Sequence, residues 1–345
     1  MKPGPTNSLV DVAGLRVGHA HRDGGGYRTG TTVVVPPPEG MVAGVDVRGA
    51  APGTRETELL DPRNLVERVH SVVLTGGSAY GLDAATGVMG RLADAGIGFS
   101  VAGGVVPIVP AAVIYDLGRG GSFRAVPDAA LGAAAYDAAT DAADPGDGIS
   151  FAPPMANGSI GAGTGAVAGG LAGGIGTASA VLPGGVTVAA LAVVNPHGSV
   201  LDPGSGRLAG TRYGLPGEFD HLREPSAEDY AAWAPPQAGS FNTTIGVVAT
   251  DVSLSKAQCG KLAGVAHDGL ARAIRPAHTM VDGDTIFGLA TCALAAPGQE
   301  DFQDVLAAAA DVFARAVAHA VLAATGREDA PAYLDVFPSA QGELS

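Results

Sequence analysis

The stretch Ser240-Phe241-Asn242-Thr243-Thr244-Ile245-Gly246-Val247-Val248-Ala249-Thr250 is where the chain changes character. A polar, proline-rich approach ends at Asn242, and a run with the composition of a strand begins at Thr243. A hydroxyl at such a junction has two readings. In one, Thr243 simply opens a strand. In the other, its side chain attacks the carbonyl of Asn242, splits the chain between Asn242 and Thr243, and leaves Thr243 with a free α-amine beside its own hydroxyl. That is the threonine/N-terminal-amine form of an activated nucleophile. The rest of the chain decides between them.

On the C-terminal side, Ser255-Lys256-Ala257-Gln258 is a reciprocal capping pattern, and Leu262, Val265, Ala266 and Leu270 continue a helix from it. Asp282-Gly283-Asp284-Thr285 then precedes a strand over residues 286–290. Two acids at i and i+2 face the same way on extended backbone. One can hold the ammonium of Thr243 while the other orients its hydroxyl or acts with substrate. The alternative is a strand-entry turn, where Asp and Gly are common. Residues 305–325 predict a long alanine-rich helix.

On the N-terminal side, residues 202–239 are rich in both charge and proline, a surface excursion that leaves the Asn242–Thr243 bond reachable. Residues 186–194 predict a strand, left through Asn195-Pro196-His197-Gly198. Asn195 either donates its amide to a developing oxyanion or serves as a plain turn residue. Residues 148–201 contain no Lys, Arg, Asp or Glu. Gly and Pro interrupt them too often for a membrane span, and strands buried on both faces account for the missing charge. Gly161-Ala162-Gly163-Thr164-Gly165 lacks the acidic residue about 20 positions on that a dinucleotide site wants. Residues 71–75 predict a short buried strand, which Gly76-Gly77-Ser78-Ala79-Tyr80-Gly81 turns into a helix. The N–H groups of that turn either meet an anion or oxyanion or make a tight connection. Residues 8–12 and 31–35 predict strands, His19 and His21 surface positions between them, and Arg55 and Glu56 a surface pair.

Composition bounds the answer. The 345 residues are 46% hydrophobic and 16% charged, ample for a buried core. The net charge of −14 disfavours nucleic acid, whose phosphates attract Lys/Arg stripes. Cys259 and Cys292 show no metal-ligand spacing and make no disulfide framework, so no metal or cofactor is expected and a cytoplasmic location is. Met1-Lys2-Pro3-Gly4-Pro5 lacks the apolar core of a signal peptide.

Three motifs in one order carry a resemblance: Gly76-Gly77-Ser78-Ala79-Tyr80-Gly81-Leu82, Asn242-Thr243-Thr244, and Asp282-Gly283-Asp284-Thr285 with His278-Thr279 ahead of it. The chain resembles the DmpA-type peptidases from about Asn7 to Gly326. That family holds L-aminopeptidase/D-esterases, β-aminopeptidases and 6-aminohexanoate-oligomer (nylon-oligomer) endo-hydrolases. The resemblance implies an α/β fold, a four-layer αββα sandwich like that of N-terminal-nucleophile hydrolases with its own connectivity. It implies a single domain over residues 1–345, self-cleaved into residues 1–242 and 243–345, and a homo-oligomer of four or more chains. Carried over by position, Thr243 is the nucleophile, Asp282 and Asp284 are the acids beside it, Asn195 the oxyanion-side amide and Tyr115 a wall of the site.

Two departures follow. The nylon-oligomer branch carries a Lys where this chain has Gly169-Gly170, and the aminopeptidase branch carries a Glu where this chain has Pro110-Ala111-Ala112-Val113. The expected activity is therefore hydrolysis of amide bonds in small peptides or aminohexanoate oligomers through an acyl-enzyme, with no membrane or nucleic-acid partner. The alternatives are a strict aminopeptidase/esterase, an acyltransferase of the ornithine acetyltransferase type, and a non-catalytic scaffold.

Overall fold

The computed structural model describes residues 1–141, 148–234 and 241–342. Its strands, in chain order, are β1 (Arg16–Gly24), β2 (Tyr27–Val35), β3 (Val42–Val47), β4 (Thr54–Arg55), β5 (Val72–Thr75), β6 (Phe99–Val101), β7 (Gly104–Val106), β8 (Ala111–Val113), β9 (Ser150–Ala152), β10 (Val167–Ala168), β11 (Leu171–Ala172), β12 (Gly174–Val181), β13 (Thr187–Val194), β14 (Ile245–Val252) and β15 (Thr285–Leu294). The helices include α1 (Ala84–Asp94), α2 (Ala129–Ala139), α3 (Ala227–Ala232, short and on the surface), α4 (Lys256–Ala273) and α5 (Gln299–Leu322).

One sheet runs β4-β8-β5-β2-β1-β9 and the other β12-β13-β14-β15-β3. Side-chain alternation stacks them. In β13, Val188, Ala190, Ala192 and Val194 join a core shared with α4 and α5. Ala189, Leu191 and Val193 join a second core shared with Val17, Val34 and Leu74 of the facing sheet. On the far side of that sheet, Val33 and Val35 pack against Val88 and Leu92 of α1 and Leu131 of α2. The result is four layers, helix–sheet–sheet–helix, as the resemblance implies. A strand buried on both faces needs no polar alternation, and that is why residues 188–194 are uniformly apolar.

The charge-free stretch thus forms strands, not a membrane span. Helix α5 is long and apolar enough to cross a membrane by length and composition, but it packs on β12, β13 and α4. Where α4 meets α5, the helices touch at Gly269, where a Cβ would come within 2.0 Å of the carbonyl oxygen of Ala310.

Several sequence expectations change. Residues 8–12 hold a single 3-10 turn, Leu9–Asp11, because the Asp11 carboxylate gathers the N–H groups of Thr6 and Ser8. His19 is not a surface residue: it is fully buried, with Nδ1 2.9 Å from Thr32 Oγ1, and burial pushes its pKa down to about 4. Arg55 and Glu56 do not pair. Arg55 reaches Thr86, and the Glu56 carboxylate accepts the N–H of Val109 at 2.8 Å. The end of the charged excursion, residues 235–240, lies outside the described residues.

Candidate active site

Thr243 sits two residues before β14, at the end of the sheet where β14 and β15 run parallel. Parallel neighbours bring their leading segments to the same edge, so Asn242-Thr243 and Asp282-Gly283-Asp284 meet there. Asn242 and Asp282 form a parallel bridge. The N–H of Asn242 donates to the carbonyl of Val281 at 3.0 Å. Asn242 and Thr243 are both buried.

The Thr243 hydroxyl donates to the carbonyl of Asn242, the group it would attack. The N–H of Gly283 donates to Thr243 Oγ1 at 3.2 Å. Only glycine allows this approach, since a Cβ at 283 would lie 2.5 Å from Ala51 O and 3.0 Å from Thr243 Oγ1. The N–H of Thr243 donates to the main-chain carbonyl of Asn195 at 2.8 Å.

Both acids are buried and fully engaged with the main chain. Asp282 accepts the N–H of His197 at 3.1 Å, the N–H of Thr279 at 3.2 Å and the Thr279 hydroxyl. Asp284 accepts the N–H of Thr244 at 2.8 Å and the N–H of His278 at 3.0 Å, with His278 Nδ1 2.8 Å away. The two carboxylates therefore anchor the segments around Thr243. His278 takes the left-handed backbone conformation, φ 57°, which places both its N–H and its ring on Asp284. Behind it stands His267, its ring 4.9 Å away, buried and pushed down to about 4 by desolvation.

Asn195 is buried at the end of β13. Its side-chain oxygen accepts the N–H of Val167 at 3.0 Å and a guanidinium N–H of Arg119, while its amide donates to the carbonyl of Tyr115 at 3.2 Å. The Arg119 guanidinium is desolvated, which lowers its pKa to about 10 despite the charge of Asp116. Asp116 itself is buried, and desolvation raises its pKa against the hydrogen bonds from Thr29 and Gly77. The Tyr115 ring lies 5.8 Å from that of Phe241, tilted by 41°.

All five candidate residues gather around the Asn242–Thr243 bond or its immediate supports. The sequence reading missed Arg119, which approaches Asn195 from a distant loop with no motif around it. His278 was part of a motif without a role of its own. Gly169-Gly170 forms the turn between β10 and β11, and Arg119 is the cation that touches Asn195. The glycine turn after β5 makes a tight connection through its first three N–H groups. Its N–H groups at Gly76, Gly77 and Ser78 are spent on Gly30, Asp116 and Ile114.

A cavity of about 280 Å³ opens beside the bond, lined by Ala51, Pro52, Gly53, Ser78, Ala79, Val113, Tyr115, Phe241, Asn242, Thr243 and Val281. None of these side chains is charged. Among the described residues no group of three or more His, Cys, Asp or Glu is arranged to hold a metal ion.

Comparison with known proteins adds to this geometry. The model of peptidase family S58 matches residues 7–330. An uncharacterized aminopeptidase of Mycobacterium leprae is 49% identical over 98% of this chain and 96% of its own length. A 6-aminohexanoate-oligomer endohydrolase of Kocuria sp. is 33% identical over 81% of this chain and 74% of its own. Among solved structures, a Burkholderia sp. β-aminopeptidase superposes with a TM-score of 0.71 at 23% identity, covering 98% of this chain and 95% of that one. An L-aminopeptidase D-Ala-esterase/amidase from Ochrobactrum anthropi, described as a variant of the Ntn-hydrolase fold, gives 0.69 at 23% identity over 94% of this chain and 88% of its own.

Proposed function

The chain belongs to peptidase family S58 and is a hydrolase of amide bonds, and from that premise we propose that Thr243 is its nucleophile, released by cleavage of the Asn242–Thr243 bond. One observation carries this reading. The hydroxyl of Thr243 already faces the Asn242 carbonyl, held from the other side by the Gly283 N–H.

The chemistry has two phases. In the uncut chain, Thr243 Oγ bonds to the carbonyl carbon of Asn242 and the C–N bond breaks. The hydroxyl proton ends on the Thr243 nitrogen. Water then hydrolyses the ester, giving a carboxylate at Asn242 and a free hydroxyl and amine at Thr243. In the cut enzyme that amine, with an ordinary pKa of about 7.7–8.0, accepts the hydroxyl proton as Oγ attacks a substrate amide. It passes the proton to the departing amine, and water releases the acyl group by the same route. The Gly283 N–H steadies Oγ. Asn195 holds Tyr115 with one amide proton and has the other for the oxyanion; removing one such donor typically costs about 100–1,000-fold in rate. Asp282 and Asp284 hold the segments on which Thr243 is aimed.

The substrates in this reading are amides of small peptides or aminohexanoate oligomers. The reading also includes a homo-oligomer of four or more chains and, from two free cysteines, a reducing cytoplasm. The test is intact mass together with turnover. Wild-type protein is expected as two pieces, residues 1–242 and 243–345, active on amides. Thr243→Ala is expected as one inactive chain, and two pieces from that variant would remove Thr243 from its role.

A further inference from the structure

The Arg119 guanidinium is desolvated, yet its hydrogen bonds go to neutral groups. Its Nη1 donates to the carbonyl of Gly165 at 2.6 Å and to the side-chain oxygen of Asn195. The carboxylate of nearby Asp116 is spent elsewhere, on the Thr29 hydroxyl and the N–H of Gly77, each at 2.6 Å. A second guanidinium, Arg327, reaches the same Gly165 carbonyl at 3.4 Å and that of Ala166 at 2.9 Å, and its charge opposes that of Arg119. With a pKa lowered to about 10, Arg119 is still a cation at neutral pH. A desolvated charge is costly unless it is paired. Here the fold directs it at one side chain of the site.

The approach is built. Gly165 lets the Asp116–Arg119 loop lie against it, since a Cβ there would come within 2.9 Å of Asp116 Cβ and 2.4 Å of the carbonyl oxygen of Arg28. Asn195 is then held from three sides. Its side-chain oxygen faces two donors, Arg119 and the N–H of Val167 at 3.0 Å, and its amide nitrogen faces an acceptor, the carbonyl of Tyr115 at 3.2 Å. Turning the carboxamide over would set like against like at all three contacts. The main-chain carbonyl of the same residue accepts the N–H of Thr243 at 2.8 Å, so Asn195 adjoins the bond to be cut.

Resting on the proposed roles of Thr243 and Asn195, we infer that Arg119 is a positioning residue of this site: its guanidinium fixes the Asn195 carboxamide and, through it, brings positive charge to the developing oxyanion. A cation on the amide oxygen draws electron density from the amide nitrogen, so the remaining N–H becomes a stronger donor. Charge-assisted hydrogen bonds are roughly twice as strong as neutral ones. Arg119 itself touches neither substrate nor reacting atoms, and no bond forms or breaks at it. In both phases of the reaction the oxyanion forms on the carbon bonded to Thr243 Oγ. The same guanidinium therefore serves self-cleavage and turnover.

The chain is its own first substrate, so self-cleavage is the readout. Wild type, Arg119→Gln, Arg119→Lys, Asn195→Ala and the double variant of Arg119→Gln with Asn195→Ala are made by cell-free synthesis. The uncut fraction is followed by intact mass over time, with circular dichroism as the check of folding. Arg119→Gln keeps a neutral donor and loses the charge. It is expected to cut at least about 10-fold more slowly than wild type. Arg119→Lys keeps the charge and is expected to cut faster than Arg119→Gln. Asn195→Ala is expected to slow cutting about 100-fold or more. Once Asn195 is gone, Arg119→Gln is expected to add less than about threefold, because its route to the oxyanion has gone too. A purely structural role would slow both backgrounds equally. Should Arg119→Gln not fold, Arg119→Lys carries the same cycle. Cutting by Arg119→Gln at the wild-type rate, equal rates for Arg119→Gln and Arg119→Lys, or the full loss repeated in the Asn195→Ala background overturns the inference and leaves the role of Thr243 intact. Wild type that stays uncut overturns the proposed function, and this inference with it.

Discussion

At the scale of single residues, the site is built from main-chain groups as much as from side chains. Thr243 touches Asn242 and Asn195 through their carbonyls and Gly283 through its N–H. The carboxylates act one step away. Asp284 joins the residue after Thr243, Thr244, to His278. Asp284→Asn keeps the shape but cannot accept from all three donors, leaving at least one buried and unpaired. Such a group costs about 1–3 kcal/mol. The variant should fold, with an unchanged far-ultraviolet circular dichroism spectrum, and cut itself about 10–100-fold more slowly, as read by intact mass over time. Both acids were visible in the sequence as a spaced pair. Their partners were not, because the N–H groups they hold come from Thr244, His197 and His278, and which N–H faces a carboxylate is set by backbone path.

At the scale of elements, the parallel pairing of β14 and β15 brings Thr243 and the two acids to one end of the sheet. The connection between them is α4, which must lie flat on the sheet and against α5. Its fit against α5 depends on Gly269. Replacing that residue with Ala would place a Cβ 2.0 Å from the carbonyl oxygen of Ala310, so the two helices must separate. Overpacking of this kind costs about 1–3 kcal/mol, and Gly269→Ala should lower the thermal midpoint by several degrees without preventing self-cleavage. The start of α4 was legible from Ser255 and Gln258, which do form the reciprocal cap. The turn at Leu9–Asp11 was misread as a strand, because a side-chain carboxylate collecting local N–H groups overrides β propensity.

At the scale of the molecule, the proposed cut at Asn242–Thr243 would divide one sheet between two pieces. Strands β14 and β15 would belong to residues 243–345 and would stay between β13 and β3 of residues 1–242. The pieces would also be tied through α5. Buried Arg315 donates to Glu218 at 2.7 and 2.9 Å, to Asn7 Oδ1 at 2.6 Å and to the carbonyl of Ser179 at 2.9 Å. The two pieces should therefore elute together on gel filtration in native buffer and separate only in denaturant. Burial of Glu218 opposes its charge, but the hydrogen bonds from His319 and Arg315 outweigh this and hold its carboxyl down at about 2. A depressed carboxyl stabilises the fold above its unfolded value, near 4.5, and that contribution fades as pH falls from there toward 2. Glu218→Gln should lower the thermal midpoint at pH 7, and the gap to wild type should shrink across that acid range.

The sequence by itself determined the strand that Thr243 precedes and the types of the residues around it, and its family resemblance implied the layers. Hydrophobic period, capping residues and turn residues are local signals, and motif order carries a family. Only the tertiary structure decided that Arg119 supports Asn195, that His19 is buried, and that the carbonyl of Val281 faces the acyl side of the bond. Those facts depend on segments far apart in the chain meeting at one sheet edge. A main-chain carbonyl looks the same in every sequence until folding gives it a neighbour.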